Sequence, residues 1–98
     1  METIVFAPCN DDTPDMWAEQ INRMYTPKKP VRMLVNLDNF NSFDIRKMIG
    51  LKCVLDAYRP LTRVYLHETI IKTRDPLLKN LIKSCLVFFK PEKPVRFV

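Results

Sequence analysis

Glycine is almost absent from this chain: Gly50 is the only one among 98 residues, while prolines number eight. That single shortage constrains the fold more than any motif does. Tight two-residue hairpins need residues that reach positive φ, and glycine supplies them most cheaply, so an all-β meander is disfavoured. A phosphate cradle built on several glycines is excluded for the same reason. Proline must do the punctuating, and the segments between prolines alternate in character. Thr3–Ala7 reads as a strand closed by Pro8. Thr13 is placed to cap a helix whose first position is Pro14, with Asp15 at the positive helix end. Trp17, Ile21 and Met24 share one face of that helix, which runs to about Tyr25.

After Thr26-Pro27-Lys28-Lys29-Pro30, Val31–Leu37 reads as a second strand, apolar at most positions. Such a pattern suits an internal strand covered on both faces. Ser42 caps the next helix, with Asp44 in its first turn, and the helix spans Phe43 to about Tyr58, where Pro60 is read as its stop. Its apolar arc is wide enough to require deep burial or a second contact with a partner. Arg63–Ile71 is expected as the third strand. Asp75 caps a last helix that begins at Pro76, on which Leu77, Leu78, Leu81, Ile82, Cys85, Leu86 and Phe89 share a face. Val95–Val98 completes a β-α-β-α-β-α-β order. The expectation is a single α/β domain over residues 1–98 with a small, mainly parallel four-stranded sheet.

Charge divides the chain. Residues 1–22 hold five acids and no Lys or Arg, whereas residues 23–98 hold all sixteen basic residues and six acids. An acidic N-terminal strand-helix segment (1–30) lying against a basic body is the plainer reading. A basic surface for an anionic partner is the sharper one. Residues 59–98, with nine basic and three acidic residues, motivate an anionic lipid surface as a further candidate. Nucleic acid is disfavoured, because the basic residues form no dense tract interleaved with exposed aromatics. Cys9, Cys53 and Cys85 have no ligand spacing. Cys53 and Cys85 are expected in the core, and the set points to a reducing, cytoplasmic setting. Neither a signal peptide nor a membrane span is expected.

Little here suggests chemistry. His67 is the only histidine, and no cysteine lies near it in sequence to form a nucleophile pair. Asp38 sits at the carboxyl end of the second strand, where open α/β sheets bind ligands, so Asp38 with Asp44 is one candidate cation pair. Asp11, Asp12 and Asp15 are another. Chain turning and helix capping account for both groups more simply, and neither metal, cofactor nor catalysis is expected.

From residue 31 onward the chain resembles the STAS fold family, in its divergent SpoIIAA-like (STAS/Sec14-like) branch. The resemblance lies in Val31–Leu37, Asp38-Asn39-Phe40, the following helix, Arg63–Ile71, the Asp75–Phe89 helix and Lys90-Pro91-Glu92-Lys93-Pro94-Val95-Arg96-Phe97. It implies a STAS-like core over 31–98 and a non-enzymatic, regulatory or protein-binding role. Some members bind nucleotides or lipids, and some are switched by phosphorylation. The family's switch serine falls at Asn41-Ser42-Phe43-Asp44, where Ser42 is the hydroxyl and the second serine and the glycine are missing. The family's final helix has no counterpart before Val98, which implies a trimmed domain or a partner on that surface. Ser42, Asp38, Asp44 and Phe88 are therefore the candidate switch or contact residues. The partner would be a protein or a second copy of the chain, and an architectural subunit of a larger viral or multiprotein assembly is the alternative role. Phosphorylation of Ser42 would bring roughly two negative charges to a helix N-terminus. Ser42→Ala and Ser42→Asp should then differ in partner binding, and equal binding in a titration rejects the switch.

Overall fold

The computed structural model describes residues 1–9, 11–40, 45–88 and 91–98. The elements are β1 (Glu2–Phe6), α1 (Pro14–Tyr25), β2 (Val31–Asn36), α2 (Ile45–Ala57), α3 (Arg59–Tyr65), β3 (Leu66–Lys72), α4 (Pro76–Phe88) and β4 (Val95–Phe97). The strands form one all-parallel sheet in the order β1-β2-β3-β4. The fold is thus α/β, as expected, with one more helix than the sequence suggested.

Local chemistry explains the starts and stops. The Thr13 side chain accepts from the Met16 amide at 3.3 Å, with Pro14 opening α1 and Asp15 in its first turn. Asp75 Oδ1 accepts from the Leu77 amide at 2.9 Å ahead of α4. Lys28 closes the turn after α1 with φ 53, and its amide reaches the Tyr25 carbonyl at 3.1 Å. In a chain so poor in glycine, the left-handed position falls to a lysine, at some steric cost.

One correction concerns residues 59–65. Pro60 does not merely end α2; it sits in the first turn of α3, where a missing amide costs nothing. Arg63, Val64 and Tyr65 are therefore helical, and β3 begins only at Leu66. α3 thus occupies a stretch read as the helix stop and the start of the third strand.

The core lies between the sheet and the helices. Trp17, Ile21 and Leu78 are essentially inaccessible, and Met33, Val35 and Ile71 project from the sheet to meet them. Trp17 is anchored as well as buried: its indole N–H donates to Asp12 Oδ2 at 3.2 Å, and that oxygen also accepts from the Cys9 amide at 2.9 Å. Lys47 Nζ donates to the Asp12 carbonyl at 3.0 Å and lies over the Trp17 ring. This is how the acidic N-terminal segment is tied to α2.

A second correction concerns β2. It is internal in the sheet, yet among the described residues only one of its faces is covered. Val31, Met33 and Val35 are buried, whereas Arg32, Leu34 and Asn36 on the other side are half-buried. Side chains of α1 (Tyr25), α2 (Leu55), α3 (Thr62) and α4 (Ile82) all line the same space against Met33, Val35 and Ile71. The reason is topological. Each right-handed crossover advances one strand in the same direction, so every helix lands on the same side. Other apolar residues are also less covered than their periodicity implied. Leu77 is 63% exposed, Ile49 is 55% exposed, and Cys53 is exposed rather than in the core.

Gly50 is interior to α2, at an ordinary negative φ. A Cβ there would lie 3.6 Å from Trp17 Cζ3 and 3.8 Å from Pro14 Cγ, which is normal contact. Gly50→Ala should therefore stabilise the fold by about 0.5–1 kcal/mol through helix propensity and added packing, read as a higher urea midpoint at unchanged slope.

Candidate functional site

Two features stand out from the packed core, and they lie on opposite sides of the sheet. The first is the bare face. Register places Thr3, Arg32 and Glu68 in one cross-strand row, and Val5, Leu34, Ile70 and Arg96 in the next. Asn36 and Lys72 follow. The centre is a short apolar band, with Val5 58% exposed at its edge. Around it stand three cations and one acid. Glu68 lies 2.6 Å from Arg32 Nε and 3.3 Å from Arg96. The Arg32 contact is an ion pair without hydrogen-bond alignment, so its Nε proton has no acceptor in line among the described residues.

His67 marks an irregularity beside this face. Val31 pairs with Leu66 and Arg32 with Glu68, so His67 is the extra residue of a bulge. The bulge lets Leu66 and Thr69 both point into the core, which strict alternation from Leu66 does not allow. His67 is exposed, and among the described residues it makes no hydrogen bond or ion pair.

The second feature is a cavity of 550 Å³ between the sheet and the helical layer. Its sheet wall is Met33, Val35, Leu66, Thr69 and Ile71, and its helical wall includes Leu51, Leu55 and Leu81. Thr69 is the one buried polar residue among those described. Tyr25 and Thr62 hydroxyls meet at 2.9 Å, one donating to the other. Burial pushes the Tyr25 hydroxyl above its ordinary pKa, and the Thr62 hydrogen bond opposes this in part.

The cavity mouth is ionic. Lys52 and Arg59 both bond Asp56, at 2.6 and 3.0 Å. Arg59 and Arg63 both reach Glu92 Oε1, at 2.9 and 3.1 Å. Helical spacing accounts for the second pair: residues four apart on α3 are neighbours one turn apart, whereas extended chain would separate them by roughly 13 Å. Hydrogen bonding from Lys52 holds the Asp56 carboxyl below its ordinary range, with Arg59 adding to it. Hydrogen bonding from Arg63, then Arg59, does the same for Glu92.

The sequence-selected residues fare differently. Asp38 turns the chain after β2: its amide donates to Asn36 Oδ1 at 3.0 Å, and its Oδ2 is 3.8 Å from both Lys72 and Arg74. Its Oδ1 is buried and accepts no hydrogen bond among the described residues. Asp12 serves Trp17, as above. Ser42 and Asp44 lie outside the described residues, as does the side chain of Phe88, whose backbone ends α4. Among the described residues, no three His, Cys, Asp or Glu side chains gather as a metal would require, and no helix is long and apolar enough to cross a membrane. Sequence reasoning missed Arg59, Arg63 and Glu92 as a group. The available signal was the Arg-x-x-x-Arg spacing, hidden by reading residues 63–65 as extended.

A comparison with models of known families finds none that matches, and searches of curated proteins and of solved structures find no significant match. The family resemblance of residues 31–98 thus rests on the residue pattern alone.

The rim ion cluster gives a pH dependence with a definite sign. Glu92 has a lowered native pKa, so its contribution to stability is complete above the unfolded carboxylate range and is lost as pH falls through the native value. Glu92→Gln should lower Tm at neutral pH. The gap from the unsubstituted protein should narrow as pH falls below the ordinary carboxylate range in a thermal melt series.

Proposed function

We propose that this protein acts by contact rather than by bond-making, as a binding or regulatory module for a protein partner. The contact surface is the bare face of the sheet. One observation carries this reading: an all-parallel sheet has helices on one side only. Such sheets are almost always covered on both faces. Among the described residues the second layer is missing, and the Val5–Leu34–Ile70 band is what it would cover. The STAS resemblance points the same way, toward a domain that works through partners.

The charge pattern selects the partner's chemistry. Arg32, Lys72 and Arg96 on this face and Arg74 beside it outnumber the two acids they meet, Glu68 and Asp38. Two copies stacked through a twofold axis would set like charges against each other. A partner with an apolar strip bordered by carboxylates fits better. No aromatic side chain lies among the paired outward residues of this face, so base stacking has no platform here.

Val5 and Arg96 are exposed enough to change without unfolding the domain. With the partner recovered from the native source by its retention on the chain, Val5→Glu and Arg96→Glu should each weaken the complex about tenfold or more. Arg23→Glu, on the helical side, should not. Unchanged affinity in both face variants, or a stable dimer of the chain alone at micromolar concentration, would falsify this reading.

A further inference from the structure

We propose that the cavity beneath α2, α3 and α4 is a binding site for a single-chain anionic amphiphile, a fatty-acid-like molecule whose hydrocarbon chain lies inside and whose head group stays at the ionic mouth. This site is independent of the contact face, since the sheet separates the two.

Volume gives the first argument. Protein interiors are close-packed, and voids much larger than a water molecule are few. At 550 Å³ this space falls among ligand pockets rather than packing faults. The lining gives the second. The walls are mainly aliphatic side chains; the few hydroxyls are Thr69 and the Tyr25–Thr62 pair, which hydrogen-bond to each other. A polar ligand entering here would lose its hydration and find little in return. A hydrocarbon chain loses nothing and restores the missing contacts.

The mouth gives the third. Lys52, Arg59 and Lys93 line it with Asp56 and Glu92, and Arg63 stands just outside, bonded to Glu92. Both acids are already held by cations. Among the described residues that meet here, four cations stand against two acids, and Lys93 has no ion-pair partner. A carboxylate or sulfate head on the chain meets that excess, whereas an acidic protein surface has no means to fill the apolar space behind it.

The test uses the full chain, with dodecanoate and its uncharged counterpart dodecanol, titrated by calorimetry below their aggregation limits. Saturable one-to-one binding of dodecanoate is expected, with dodecanol weaker. Lys93→Glu should weaken dodecanoate about fivefold or more and leave dodecanol unchanged. Thr69→Phe, which fills the floor, should abolish binding of both. Because that variant puts bulk into the core, its circular dichroism is recorded alongside, and Lys93→Glu decides the matter if it misfolds. Val5→Glu, on the opposite side, should bind both probes normally, so failure here and failure of the contact face are separable. Absence of saturable binding overturns the proposal. So does equal affinity for the two probes that Lys93→Glu does not alter, or loss of binding in Val5→Glu. Salt-sensitive attachment to phosphatidylserine vesicles that dodecanoate does not displace would assign the basic residues to a membrane surface and overturn it as well.

Discussion

Each crossover in this chain steps one strand along the sheet, always in the same direction and with the same hand. From that constraint follow the buried face, the bare face and the space between sheet and helices. A doubly wound sheet reverses its strand order once and so gains helices on both sides. This one, ordered β1-β2-β3-β4, never reverses. Among the described residues, four helices crowd one side of a four-stranded sheet, and none remains for the other.

The crowding is uneven, and the unevenness locates the cavity. At one end α1 is fixed by Trp17, whose indole is held by Asp12 and packed against α2 near Gly50. Phe40 sits 6.3 Å from the same ring, so the start of the helical layer is dense. Toward α3 and α4 the layer stands off from Met33, Val35 and Ile71, and charge closes the gap at the surface in place of side-chain packing. Arg59 is the hinge of that closure, bonding one acid from its own side of the mouth and one from the segment before β4.

Much of this was legible in the residues themselves. Thr13-Pro14 and Asp75-Pro76 announce helix starts because cap chemistry is local, and both were found where expected. Strand number and sheet type followed from alternation between prolines. What could not be read was the side on which each element falls. Leu34 looks like a core residue in any linear reading, and only the strand order shows that it faces outward. Pro60 was ambiguous in the same way, since proline ends one helix and opens another by the same missing amide. His67 required a register slip that no periodicity announces, because the slip depends on how β2 and β3 twist together. The ionic mouth is non-local: Glu92 lies far along the chain from Arg59 and Arg63, and no spacing rule links them.

The margins of the sheet have a consequence of their own. An open sheet offers unpaired amides and carbonyls along both outer strands, a template on which further chains can polymerise. On one margin, β4 is only three residues long and follows Pro94, and its central residue is the charged Arg96. On the other, β1 opens on Glu2 and is halted by the buried Pro8 soon after Phe6. Brevity, charge and proline thus guard the two borders, so a domain that leaves one broad face uncovered still discourages strand-by-strand growth into fibrils.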